Sequence, residues 1–303
     1  MKDLTIIGGG PAAITAAIYA ARAKMTITLV TQDLGGYIAK TDKIENYPGF
    51  KTITGIELTK KLEEHLKEYN IEIIEDEKVK TVNEENGEVI TTLENGEIIK
   101  SKTAIIATGS KRKKLGIKGE AEYTNKGITY CAVCDGTAFQ DQEVAVIGGS
   151  YAGTKSAMYL SKIAKKVYII EIQKELQGED LLIDAVKKTK NIEIITQAKT
   201  LEICGKEYVE GIIYEKNNEQ KKLEVQGITI EIGLEPNSEI TNVKKDENGH
   251  IIVDENMRTK SSKIFAAGDV NNKGKEQIII AAAQGCIAAL KAKEEIKWKK
   301  PKR

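Results

Sequence analysis

Leu4-Thr5-Ile6-Ile7-Gly8-Gly9-Gly10-Pro11-Ala12-Ala13 decides the fold. Four residues suited to a buried strand run into three glycines, and a proline then opens an alanine-rich stretch that reads as a helix over 12–23. A second strand reads at 26–31, which completes a βαβ unit at the start of the chain. Gly8, Gly10 and Ala13 fit G-x-G-x-x-G/A between strand and helix, where missing side chains let a pyrophosphate reach the helix N-terminus. Alone the pattern is weak, because a glycine turn also serves plain tight packing.

Outward from that unit the same grammar returns: a strand into glycine at 143–149, a helix at 152–165 and a strand at 166–171. Between the two units, 88–92 and 103–109 read as strands, with Asn86-Gly87 and Asn95-Gly96 as hairpin turns. After Gly233-Leu234-Glu235-Pro236-Asn237 the chain returns to finish with Phe265-Ala266-Ala267-Gly268-Asp269-Val270 and a last helix. The expected class is α/β, with two Rossmann-like nucleotide-binding domains, the second inserted into the first. Boundaries are expected at 1–115 with 242–303 for the outer domain and at 116–241 for the inserted one.

The 303 residues suit two domains, and 41% hydrophobic with 30% charged residues is a globular composition. Lys and Arg number 46 against 45 Asp and Glu, so no overall field draws the chain to nucleic acid or to anionic lipid. Local basic runs occur at 111–114 and 297–303, and either can be a plain solvated run. The first residues do not form an export signal, and the apolar segment Ile278–Leu290 is shorter than the ~20 residues a bilayer needs, so it reads as a core helix. The expected compartment is the cytosol.

Cys131 and Cys134 stand two residues apart, close enough for a short disulfide loop whose thiolate exchanges with a partner's disulfide. Half a zinc site has the same spacing, but no second C-x-x-C exists and the histidines are only His65 and His250, so no metal is expected. Cys204 and Cys286 read as buried packing residues. Asp269, between strand and helix, can be an ordinary N-cap.

Taken in order, Gly-Gly-Gly-Pro-Ala-Ala (8–13), Glu-Asn-Tyr-Pro-Gly-Phe (45–50), Ala-Thr-Gly (107–109), Cys-Ala-Val-Cys-Asp-Gly (131–136) and Ala-Ala-Gly-Asp-Val (266–270) resemble the low-molecular-weight thioredoxin reductases over nearly the whole chain. The resemblance implies FAD in the outer domain, with Gly8, Gly10, Ala13, Thr31, Gly36, Asn46, Ala107, Thr108, Gly109, Asp269 and Gln277 on flavin-nucleotide positions. It also implies that Cys134 faces the flavin, that Cys131 attacks thioredoxin, that Asp135 manages the thiol proton, and that the chain forms a homodimer. Thr31 stands where the family has an acidic residue, so FAD is expected to bind more loosely.

The second glycine turn departs from the family. It reads Gly148-Gly149-Ser150-Tyr151, with side chains where a pyrophosphate approaches the backbone, and Glu171-Ile172-Gln173 replaces the His-Arg-Arg cluster that holds the 2′-phosphate of NADPH. Glu171 lies 23 residues past Gly148, as Thr31 does past Gly8, which is the ribose-reading position and leaves NADH open as electron donor. Ser150 and Tyr151 point instead to a degenerate nucleotide site, a pattern that resembles the ferredoxin-dependent branch of the family. Reduced ferredoxin, an acidic protein, is therefore the expected donor, docking on the basic runs. Tyr37 and Trp298 are candidates to cover the flavin ring. A competing reading is a flavoprotein that binds a partner and senses redox state without turnover.

Overall fold

Strand Lys2–Ile7 pairs in parallel with Ile27–Val30 on one side and with Ile98–Ile106 on the other. In this computed structural model, which describes residues 1–41 and 44–297, that trio is the centre of a sheet extended by Glu72–Ile74 at one end and by Ile264–Ala266 beside Ile98–Ile106. The nine-residue strand Ile98–Ile106 works in two regimes. Its first half alternates exposed and buried residues and pairs antiparallel with Glu88–Leu93, which in turn pairs with Val79–Glu85. Its second half, Thr103–Ile106, is buried throughout between parallel neighbours, as a strand covered on both faces must be. The hairpin turn is Asn86-Gly87, both at positive φ, the conformation for which asparagine and glycine are favoured.

Helix Pro11–Arg22 lies against Ile278–Lys297, and Ala12, Ala13, Ala16 and Ala17 are buried in that core with Phe265. Gly285 makes the approach possible. A Cβ there would come within 2.1 Å of the Ala12 carbonyl oxygen, so any larger residue separates the helices.

The second unit repeats the design 140 residues later. Strands Glu143–Ile147, Lys166–Ile170, Ile192–Ile195, Gly227–Ile230 and Ile128–Thr129 form a wholly parallel sheet. Its side chains sort by the two-residue period. Val144, Val146, Val167 and Ile169 pack with Ala157, Leu160 and Val186 of the helices Tyr151–Leu160 and Asp180–Lys188. Ala145, Ile147, Tyr168 and Ile170 pack instead with Ile203 and Ile212, which belong to an antiparallel sheet of Lys199–Gly205, Val209–Lys216 and Glu219–Glu224. The class is α/β, as expected.

The compact units are Met1–Lys111 with Glu235–Arg303, and Arg112–Leu234. These divisions fall four and seven residues before the positions read from sequence, and hydrogen bonds explain both offsets. Lys113 N donates to Gly233 O (3.0 Å), and the Leu115 and Gly116 N–H groups donate to the Glu120 carboxylate, which ties 113–116 into the second unit. Asn237 N donates to Gly109 O (3.0 Å), and its side-chain amide donates to Thr108 O (2.9 Å), so 235–241 belongs to the first.

Candidate functional site

In the first unit the three glycines form a turn that only glycine permits. Gly8 has φ +120, and a Cβ on it would strike the Ala107 carbonyl oxygen at 2.2 Å. A Cβ on Gly9 would meet the Asp33 carbonyl oxygen at 1.9 Å. At Gly10 the reverse holds: an added methyl meets no protein atom within 4 Å. It would project into a cavity of about 660 Å³ at the N-terminus of helix Pro11–Arg22, where unpaired backbone N–H groups favour an anion.

Gly8, Gly10, Thr31, Gly36, Ala107, Thr108, Gly109 and Asp269 all line this cavity. Two expectations change. Ala13 is fully buried and is not among the described lining residues, because the third small position of the motif serves close helix packing and not ligand contact. Asn46 and Gln277 are exposed, donate and accept a 3.0 Å hydrogen bond between themselves, and do not appear in the described lining either. The Thr31 hydroxyl donates to the Asp33 carbonyl (2.6 Å), so only its lone pairs are left for a ligand. Burial, with Glu276 adding a like charge, raises the Asp269 carboxyl above its usual range. Tyr37 lines the cavity and is 44% exposed, whereas Trp298 and the basic run after Lys297 lie outside the described residues.

The second turn repeats the first bond for bond. Gly8 N donates to Val30 O, and Gly148 N to Ile170 O. Thr31 N donates to Ile74 O, and Glu171 N to Ile195 O. Glu171 is therefore the counterpart of Thr31, and Ser150 that of Gly10. Here the cavity is about 420 Å³, bounded by Gly148, Gly149, Ser150, Glu171, Ile172 and Lys199 with an apolar floor. Glu171 is only 7% exposed, and both carboxylate oxygens are engaged: Oε2 accepts from Gly149 N–H and Oε1 from Gln173 N–H at 2.7 Å. Tyr151, expected to crowd the turn, is 47% exposed and outside the described lining, because the first helical position carries its ring toward solvent. Ser150 does line the cavity.

The expected docking run at 111–114 is partly neutralised. Lys111 pairs with Glu239 (3.2 Å) and Glu235 (3.6 Å), and Arg112 pairs with Glu231, whose other oxygen accepts from Ser156 at 2.8 Å. Lys113 and Lys114 have no ion pair among the described residues.

Cys131 and Cys134 are joined by a disulfide, and Cys134 N–H donates to the Cys131 sulfur (3.2 Å) at the start of the one-turn helix Ala132–Asp135. Cys134 is the more exposed of the two and Cys131 is half-buried, so exposure alone does not assign the attacking sulfur. The Asp135 carboxylate accepts from the buried Thr129 hydroxyl, a contact between residues that sequence reading did not connect. Tyr130, next to the pair, donates to Glu120 (2.8 Å), and burial followed by that carboxylate pushes its phenol up to about 12. Cys204 and Cys286 are half-buried thiols, not the fully buried residues expected, since each sits at the margin of its element's packed face. Among the described residues no cluster of three His, Cys, Asp or Glu can hold a metal, and no helix is long and apolar enough to cross a membrane.

The family described as Pyridine nucleotide-disulphide oxidoreductase matches residues 2–285. An alkyl hydroperoxide reductase from Staphylococcus aureus is 40% identical over 294 residues, 96% of this chain and 58% of that protein, so the chain spans less than two thirds of the relative's length. Thioredoxin reductase of Lactococcus lactis, solved in an FR conformation, superposes with a TM-score of 0.90 at 36% identity over 98% of this chain and 99% of that one. A ferredoxin-flavin thioredoxin reductase from Clostridium acetobutylicum gives a TM-score of 0.54 at 27% identity over 97% and 98%.

Proposed function

Because the chain belongs to the pyridine nucleotide-disulphide oxidoreductase family, we propose that it is a flavin disulfide reductase of the thioredoxin reductase type that takes electrons from NADH and delivers them through Cys131 and Cys134 to a thioredoxin-class disulfide. The family is FAD-dependent, so the cofactor is FAD. The first unit's cavity fits it: an open cradle beyond Gly10, a helix N-terminus for the pyrophosphate, and the close-packed Gly8 and Gly9 that keep that end accessible. Gly8, Gly10, Thr31, Gly36, Ala107, Thr108, Gly109 and Asp269 would hold it. FAD, once bound, accepts two electrons from a nicotinamide and hands them to a disulfide.

Glu171 carries the choice of donor. A carboxylate offers about four acceptor sites, and the Gly149 and Gln173 amides use two of them. The remaining two suit the hydroxyls of an adenosine ribose, and a 2′-phosphate there would meet a like charge with Ile172 and Gln173 where arginines would be needed. NADH is thus preferred to NADPH. Ferredoxin, the donor expected from sequence, is favoured by one observation, the Ser150 side chain on the pyrophosphate side of the turn. Against it stand the open cavity, the outward Tyr151 and the ion pairs that occupy Lys111 and Arg112.

The overall reaction converts NADH, a proton and a partner disulfide into NAD⁺ and a dithiol. The Cys131–Cys134 bond is broken by the incoming electron pair, and the dithiol is oxidised again by thiol–disulfide exchange with the partner. Asp135 is the proposed proton carrier for that exchange. A homodimer in the cytosol completes the proposal. Anaerobic stopped-flow bleaching of the flavin band by NADH, NADPH and reduced ferredoxin in turn tests it, with thioredoxin disulfide supplied afterwards to demonstrate turnover. Rapid bleaching by ferredoxin with none by NADH would transfer the assignment to ferredoxin, and a single reduction without turnover would make the chain a sensor.

A further inference from the structure

We propose that Thr129 is a positioning residue for the redox centre, its one hydroxyl fixing both the Cys131 backbone and the Asp135 carboxylate. Thr129 is 4% exposed, at the end of the short strand Ile128–Thr129. Its oxygen accepts from Cys131 N–H at 3.0 Å and donates to Asp135 Oδ2. A hydroxyl has a single proton, so the amide takes a lone pair and the proton is committed to one acceptor. A second acceptor is in reach, the Cys131 carbonyl oxygen at 3.3 Å, and the carboxylate is the stronger of the two.

That pairing makes the hydroxyl a rotor between two settings. While Asp135 accepts, the proton points to it. When Asp135 takes up a proton in turnover, the hydroxyl turns to the Cys131 carbonyl and stays satisfied in a buried place. The step it serves balances without any added reagent. The Cys131 thiolate attacks a disulfide sulfur and expels a thiolate; Asp135 carries the Cys134 proton to that thiolate; the Cys134 sulfur then closes the 131–134 bond and expels the second sulfur.

The inference rests on Asp135 as proton carrier, so both are tested together and independently of the electron donor. Holoenzyme is reduced with dithiothreitol, freed of excess, and mixed with bis(2-hydroxyethyl) disulfide at several concentrations. Quenched alkylation then reports the rate of closure of the 131–134 bond. Thr129→Val is expected to lower the limiting rate about tenfold with the half-saturating concentration unchanged, a fraction of the ~10²–10⁴ that a positioned acid–base group supplies. Thr129→Ser is expected to restore it to within about twofold, and in an Asp135→Asn background Thr129→Val is expected to add nothing further. A full rate in Thr129→Val, a loss that multiplies with that of Asp135→Asn, or failure of serine to rescue overturns the proposal. A full rate in Asp135→Asn alone removes the proton-carrier reading itself. Should Thr129→Val not fold, Thr129→Ala in the same two backgrounds reads the same cycle.

Discussion

Replacing Glu171 by alanine removes the group that selects the donor while leaving the FAD site in the other unit untouched. Two of the four acceptor positions of its carboxylate face backbone amides and two are available to a ribose diol. Each hydrogen bond to a charged group contributes about 1.5–3 kcal/mol, so losing both ribose bonds weakens NADH by ~3–6 kcal/mol. Water entering the vacated space recovers part of that, which places the expected effect near the lower end, about a hundredfold in apparent Kd. NADPH responds differently, because the same change also removes a repelling charge, so the preference for NADH is expected to collapse toward parity. The assay is anaerobic flavin bleaching against concentration of each nucleotide, with FAD content measured on the same samples. An unchanged NADH dependence in Glu171→Ala, or a wild-type protein that bleaches equally well with NADPH, would refute the reasoning.

Gly10→Val is expected to fold, since its extended backbone suits valine and no protein atom lies within 4 Å of the new Cβ, yet to purify colourless; a yellow, fully loaded protein places the cofactor elsewhere. Cys134→Ser is expected to accumulate a mixed disulfide with thioredoxin through Cys131, and Cys131→Ser none, as read on a non-reducing gel; the opposite pattern assigns the attacking role to the more exposed Cys134. Burial works to raise the Asp3 carboxyl, but the Lys102 ammonium and the Thr26 N–H and hydroxyl bring it down from 3.8 to about 2. A carboxyl held low in the folded state contributes stability that is complete above about pH 4 and is lost as pH falls through 2. Asp3→Asn is therefore expected to show a shallower fall in Tm between those values than the wild type, and parallel curves would show that the contacts count for nothing.

Much of the fold was legible because the glycine turns punctuate both units and the count from Gly8 to Thr31 equals that from Gly148 to Glu171. The same counting found the ribose position. What it missed depends on contacts remote in sequence. Asn46 and Gln277 meet across 231 residues, and Lys111 finds Glu239 across 128, so neither a ligand contact nor a free basic patch could be judged from the local string. Tyr151 was misjudged for another reason: size was read without direction, and the first helical position turns the ring outward. Thr129 was passed over because nothing in Ile128-Thr129-Tyr130 distinguishes a hydroxyl on a strand from one that joins the redox centre.

Strand Ile98–Ile106 has a consequence for how the protein is made. Its hairpin half finds its partner about ten residues back in the chain, but its buried half is flanked by Ile264–Ala266, with Ala104 opposite Ile264. During synthesis the edge left by Thr103–Ile106 stays open until 160 further residues have been added, and those residues include the whole of Arg112–Leu234. The inserted unit, whose strands all lie within its own span, can complete its sheet on the ribosome while the outer unit waits with an apolar edge exposed. A nascent chain halted near residue 240 would carry one finished body and one unfinished sheet, and that interval is when the protein most needs a chaperone.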